Sequence, residues 1–399
     1  MRVRGLAWLL PFAIFSAASA DPVASPGLNV EIGYIGRDYP EPLPISLVES
    51  VIRDQGVSGA RLGVSDNLAT GQFLGQSYHL TEKIVPRASD VVADAKALLK
   101  TTKLIVADLE PADLLRVADL PEARDAVIIN ARTSDDDLRG KDCRFNLFHV
   151  APSWSMRADA LAQYMAWKRW SHWFLLRGDT KEDINYADAM RLAAKKFGSF
   201  IVEERTIVFD PGNRNSETGH QQIQTQIPMR TQSVPQHDII FVADTQDRFG
   251  DYLLWRTSVP KPVAGTQGLL AVAWSPVYEE YGGIQLQTRF RAKYKRVMTE
   301  RDYMAWLAMR VFGEAVTRSQ MKNVAGWRAY IMSKEFQVAG FKGQGMSFRA
   351  WDRQLRQPII LTGPRSLVSV SPQEGFLHPR YLTDTLGVDA PESACKVPG

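Results

Sequence analysis

The chain has 399 residues, with 48 Lys and Arg against 44 Asp and Glu, and a formal net charge of +4. That balance is too small for the basic footprint of a nucleic-acid binder, so no nucleic-acid partner is expected. The hydrophobic content of 45% is that of a globular chain. No segment reaches the roughly 18 unbroken apolar residues of a membrane helix, so a membrane-embedded protein is not expected either.

In chain order, the first feature is a positive stretch, Arg2 and Arg4, followed by a short apolar run, Gly5 to Phe15, broken by Pro11. Ala18-Ser19-Ala20 then supplies small residues in a signal-peptidase pattern. Residues 1–20 therefore read as a secretory signal peptide with the mature chain starting near Asp21. No cysteine stands at the cut site, since the first is Cys143, so a lipid anchor is not expected. In a Gram-negative cell the destination is the periplasm. About 380 remaining residues exceed one ordinary core, which predicts more than one domain.

Apolar runs of strand length then alternate with amphipathic stretches, the pattern of an α/β protein with a mostly parallel sheet. Leu28 to Ile35 reads as the first strand, before a proline-rich loop from Asp38 to Pro44. Ile45–Asp54 and Gly59–Ser65 are helix-like, and Ser77–Lys83 is a strand. Ser89–Thr101 is a helix with Ser89 as N-cap and Val91, Val92, Ala95, Leu98 and Leu99 facing inward. Leu104–Ala107 and Ala126–Asn130 are strands flanking a helix over Pro111–Leu120. A second lobe begins near Ser153 with a strong helix, Ser155–Trp170. Strands over Trp173–Leu176, Phe200–Val208 and His237–Val242 follow. They are interleaved with helices over Asp183–Phe197, Thr218–Arg230 and Phe249–Thr257, and a polar loop runs from Asp210 to Thr218. Pro260–Gly268 reads as a crossing strand and turn. The remainder is helical over Ile284–Tyr294, Thr299–Ser319 and Asn323–Ser333, then hairpin-like over Met346–Trp351 and Gln357–Thr362.

These elements predict two doubly wound Rossmann-like lobes joined by hinge crossings. Residues 21–152 and 263–340 form the first lobe, 153–262 the second, and 341–399 return to the second and end in a tail. Such lobes place a ligand cleft at the carboxyl ends of their strands.

Catalytic signatures are missing. There is no G-x-S-x-G, H-E-x-x-H or phosphate-binding G-x-x-x-x-G-K-[ST] motif, and the six histidines show no i,i+4 pair. Asp135-Asp136-Asp137 lacks the glycine and distal glutamate of a calcium loop and reads as a solvated helix start. Gly340-Phe341-Lys342-Gly343-Gln344-Gly345 reads as a turn. A binder is expected rather than an enzyme, with no metal. Cys143 and Cys395 are most simply a disulfide in an oxidising compartment, tying the tail to the first lobe; two buried thiols are the alternative.

Several stretches carry a resemblance. They include Gly33-Tyr34-Ile35-Gly36-Arg37-Asp38-Tyr39-Pro40-Glu41-Pro42, Asp66-Asn67 with Thr70-Gly71 and Phe73-Leu74-Gly75, and Ala162-Gln163-Tyr164 with Ala166-Trp167-Lys168-Arg169-Trp170. Gly313 to Arg318, Gln354 to Pro358 and Val368 to Phe376 complete the set. With these the chain resembles the type I periplasmic substrate-binding proteins of ABC transporters, the branched-chain amino-acid binder class. Within it, the chain is similar to the branch associated with alcohol dehydrogenases dependent on pyrroloquinoline quinone (PQQ). The resemblance implies a monomer that captures PQQ as a bound ligand by hinge closure, for an ABC permease or a PQQ-dependent dehydrogenase. Amino-acid binders hold their ligand with small hydroxyl residues, whereas the loops here read Ala107-Asp108-Leu109-Glu110 and Asn130-Ala131-Arg132-Thr133, a departure from that pattern.

A flat tricarboxylate quinone needs arginines and stacking faces. The expected ligand-binding residues are therefore Arg37, Tyr39, Asn67, Arg132, Thr133, Trp154, Arg214, Thr245, Thr266 and Trp274, with Trp274 placed over the ligand. Trp167, Trp170 and Trp173 are expected to pack. The alternatives are a binder of another small carboxylate or amino acid, and a periplasmic sensor lobe.

Overall fold

A computed structural model describes residues 27–41, 51–208 and 217–396. The expected signal peptide, most of the helix expected over Ile45–Asp54, Arg214 and most of the Asp210–Thr218 loop lie outside the described residues.

The first lobe opens with β1 (Leu28–Arg37), α1 (Val57–Gly71), β2 (Gln76–Val85), α2 (Val91–Thr101), β3 (Leu104–Asp108), α3 (Pro111–Ala118), β4 (Val127–Asn130) and β5 (Leu147–His149). The five strands are parallel, in the order β2-β1-β3-β4-β5. Every residue of β3 and β4 is buried, because helices cover both faces of the sheet. The alternation is still visible in what each side chain meets. Leu104 and Val106 join one core cluster, while Ile105 and Ala107 join another on the opposite face. The N-cap of α2 is Asp90, not the expected Ser89: Asp90 is the last extended residue, and its carboxylate accepts from the Val92 amide at 3.1 Å.

Ser153 caps α4 (Trp154–Lys168), its hydroxyl accepting from the Met156 amide at 3.1 Å, and the second lobe begins there. β6 (His172–Arg177), α5 (Lys181–Lys196), β7 (Phe200–Thr206), α6 (Glu217–Thr231), β8 (Ile239–Ala243), α7 (Leu253–Arg256), β9 (Val263–Gly265) and β10 (Leu269–Val272) follow. The chain then re-enters the first lobe as α8 (Gly283–Tyr294), α9 (Glu300–Ser319), α10 (Val324–Ile331) and a small hairpin of β11 (Val338–Ala339) and β12 (Gly345–Met346). It returns as β13 (Ile359–Thr362) and β14 (Leu367–Ser371). The second sheet has the order β14-β13-β10-β9-β8-β6-β7, in which β13 alone runs against the others and pairs antiparallel with both β10 and β14.

Three expectations change. Residues 263–272 belong to the second sheet rather than the first lobe, because β9 continues the parallel ladder from β8. The segment over 357–362 pairs with β14, which was not expected, and Met346 pairs with Val338 instead. The helix expected over Phe249–Thr257 contracts to a 3-10 turn and the single turn of α7.

Side chains bind the crossings together. The Gln357 amide donates to the Val150 carbonyl at 2.6 Å, linking the first and third crossings. The Lys342 ammonium donates to the carbonyls of Ala273 and Pro358, linking the second and third. Cys143 and Cys395 form a disulfide across 252 residues. The tail packs on the second lobe, where Asp159 accepts from the Gly387 amide at 2.8 Å, before the disulfide fastens it to the first.

Candidate functional site

The carboxyl ends of the parallel strands in both sheets face one cavity of about 870 Å³. From the first lobe come Glu41 after β1, Glu110 after β3, Arg132 to Asp135 after β4, and Glu300 and Arg301 from the first turn of α9. The second lobe supplies Trp154 and Arg157 from α4, Glu182, Asn185 and Tyr186 from α5, Asp244 to Asp247 after β8, and Gly265 to Gly268 at the end of β9. Open α/β sheets expose loop side chains and helix starts at this edge, so short loops from distant stretches converge here.

Asp108, the last residue of β3, organises the first-lobe wall. It accepts from the Tyr34 hydroxyl at 2.7 Å, from Arg132 at 3.2 Å and from Arg301 at 3.1 Å. Burial by itself would raise its carboxyl, but the guanidinium groups of Arg301 and Arg132 outweigh it and hold the group below its ordinary value. Arg301 also pairs with Glu41 at 2.8 Å, and Arg132 reaches Glu110 at 3.9 Å. Glu110 is raised, first by burial, and Glu182 from the opposite lobe adds to the rise while Arg132 opposes it.

On the other wall the rings of Trp154 and Tyr186 lie 4.7 Å apart. Arg157 donates to the Ala271 carbonyl at 2.7 Å and pairs with Glu300 at 3.0 Å, bridging the lobes. Asp244 accepts from the amides of Arg248, Phe249 and Gly250 and so fixes the loop after β8. Burial raises its carboxyl to about 6 against those bonds.

The structure brings Arg132, Thr133, Trp154, Thr245 and Thr266 into the cavity. Their polar groups are partly committed. Thr245 donates to Asp183 at 2.7 Å, Thr266 accepts from the Asp244 amide at 2.8 Å, and Thr133 accepts from the Asp135 amide at 3.2 Å.

Other expected residues go elsewhere. Arg37 and Tyr39 both bond Asp113, at 2.6 and 2.7 Å, beside a smaller pocket of about 280 Å³. Tyr39 supports the cleft from behind, since its ring lies 4.8 Å from the Arg132 guanidinium. Asn67 is buried between α1 and α9, donating to the Met309 carbonyl at 2.8 Å. Trp274 does not cover a ligand: the chain turns into the first-lobe core after β10, and the indole stacks on Tyr303 at 4.8 Å and 7° with 2% exposure. The Asp135–Asp137 run does start a short 3-10 turn, but it is not solvated, since Asp135 is buried and Asp136 accepts from the Ser155 amide at 3.1 Å.

Sequence reasoning missed Asp108, Glu182, Tyr186, Asp244, Glu300 and Arg301. Their shared signal is position, at a strand's last residue or just after it, or within the first turns of the following helix. Among the described residues no group of His, Cys, Asp and Glu is arranged to hold a metal ion, and no helix is long and apolar enough to cross a membrane.

No protein-family model and no curated protein sequence matches the chain. Solved structures do. A branched-chain amino acid ABC transporter periplasmic ligand-binding protein from Burkholderia xenovorans LB400 has a TM-score of 0.70 at 14% identity, over 92% of this chain and 99% of its own. A leucine-, isoleucine-, valine-, threonine- and alanine-binding protein from Brucella ovis, in a closed conformation, has 0.68 at 13%, over 93% and 99%. A periplasmic binding protein from Burkholderia mallei has 0.65 at 14%, over 92% and 98%. At these identities the likeness is one of fold, and the fold is that of type I periplasmic binding proteins.

Proposed function

We propose that this chain is a periplasmic solute-binding protein that captures a small polar molecule, an amino acid or a related amine, between its lobes and passes it to an ABC permease. The observation that carries this reading is the cavity itself: two doubly wound lobes, three crossings and one shared opening at the strand ends. Small hydroxyl groups from both lobes, Thr133, Ser134, Thr245 and Thr266, line it. Solved structures that share the fold include proteins named for binding amino acids. Ligand capture shifts the lobes toward a closed state that the ligand completes.

PQQ fits these residues less well. Of the arginines expected for its carboxylates, Arg37 is paired with Asp113 outside the cavity and Arg132 is held by Asp108. The indole expected to stack on it, Trp274, is buried in the first-lobe core. The tilted pair Trp154 and Tyr186 is the one feature favouring an aromatic ligand.

The test is a thermal-shift screen of the mature chain against amino acids, amines, small carboxylates and PQQ, followed by titration of Trp154 fluorescence. At least one compound is expected to raise the melting temperature saturably, with Thr133→Ala weakening it by about tenfold through a lost hydrogen bond. A folded protein that responds to none of them would remove the reading.

A further inference from the structure

The occupant's charge can be argued from the cavity walls. Among the described residues, eight lining carboxylates meet only three guanidinium groups. Each of the three is already ion-paired with a carboxylate. Arg132 and Arg301 share Asp108 and Glu41, and Arg157 is paired with Glu300. The carboxylates are in excess on both sides of the opening. Glu41 and Glu110 stand on the first lobe, each with a half-exposed side chain. Glu182 faces them from the first turn of α5 on the second, and forms no hydrogen bond or ion pair with any described residue. Its helix is capped by Thr180 and Asp183, so Glu182 has no capping duty.

Closing the lobes brings these like charges together as water leaves, which strengthens their repulsion. A neutral or anionic occupant leaves that repulsion in place, and an anion adds to it. A positive group between the walls reverses it. The aromatic pair Trp154 and Tyr186 on the same wall offers a face to such a group.

We infer that the interlobe cavity selects a small organic cation, an ammonium or guanidinium compound, and that Glu110 and Glu182, one from each lobe, determine that selectivity. This rests on the reading of the cavity as a solute site and names the chemistry of its occupant. It also makes unliganded closure unfavourable, so that closure reports the cation.

Calorimetric titration of the mature chain with agmatine, L-arginine, L-leucine and benzoate tests it, at low and at high salt. Agmatine or L-arginine is expected to bind about tenfold or more tightly than L-leucine or benzoate, the range of a hydrogen bond to a charged group. High salt should narrow the margin. Glu182→Gln, at a half-buried position, and Glu110→Gln, at an exposed one, should each weaken the cation severalfold and leave circular dichroism unchanged. L-leucine or benzoate binding as tightly as the cations, or cation affinity indifferent to both variants, overturns the charge assignment while the solute-binding reading stands. If none of the four binds to folded protein, the charge assignment is overturned, and the wider screen described above decides separately whether the solute-binding reading falls with it.

Discussion

Asp108 holds the guanidinium groups of Arg132 and Arg301 on the first-lobe wall. Arg132 stands where a ligand-binding arginine was expected, yet its charge is spent on Asp108 at 3.2 Å. Asp108 is buried beneath two guanidinium groups. Asp108→Asn leaves those charges short of a partner and should destabilise the fold by about 3–5 kcal/mol, the range for breaking a buried pair; urea unfolding measures it. Lys342 gives a pH signature. Burial pushes its ammonium down to about 7 from an ordinary 10.5, while Glu300 opposes the shift. Between those values the unfolded chain holds the extra proton, so stability from this group rises with pH across that window and is lowest below it. Lys342→Met removes the titration. Its melting temperature relative to wild type should therefore fall as pH climbs from about 7 toward 10. A difference that stays constant with pH would mean that the ammonium is not titrating in the fold. The slope is the readout, because the variant also strips hydrogen bonds from the carbonyls of Ala273 and Pro358.

At the scale of elements, continuous apolar runs and capped amphipathic stretches were legible, and strands of two or three residues were not. β3, β4 and α9 announce themselves through continuous apolar runs or a capped amphipathic stretch. β5 has three residues, β11 and β12 two each, and such lengths carry no period to read. They exist because a neighbouring strand supplies the ladder. Close packing of α1 on α9 is likewise a tertiary fact. A Cβ added at Gly59 would sit 1.8 Å from the Asp302 carbonyl oxygen, and one at Gly63 would sit 2.5 Å from the Met309 Cβ. Gly59→Ala must push two backbones apart and should destabilise the protein by about 1–3 kcal/mol or more, as overpacking does. Differential scanning calorimetry would show it. Gly75 has open space around its Cβ position, though with a left-handed backbone at φ 65°. Its alanine variant reports backbone strain alone and serves as the comparison.

For the whole molecule, the disulfide and the crossings set how the lobes are joined. The Cys143–Cys395 bond closes a loop of 252 residues. Chain-entropy reasoning assigns such a closure about 5.5 kcal/mol, with native strain subtracting from it. Reduction, or Cys143→Ser with Cys395→Ser, is expected to lower the unfolding midpoint by a comparable free energy. Unchanged stability would mean that the reduced chain keeps its tail docked through noncovalent contacts such as those of Asp159, Lys196 and Arg349.

The sequence by itself determined the alternating α/β order, two lobes meeting near Ser153, and several loops that reach the cleft. Burial against a sheet leaves a local apolar pattern, and the start of a helix leaves a cap. Only the tertiary structure decided that residues 263–272 extend the second sheet, that Trp274 is core, and that three arginines are neutralised by carboxylates from other loops. Strand pairing, indole stacking and ion pairing depend on separations of up to hundreds of residues, and no local pattern records which distant partner a residue will meet.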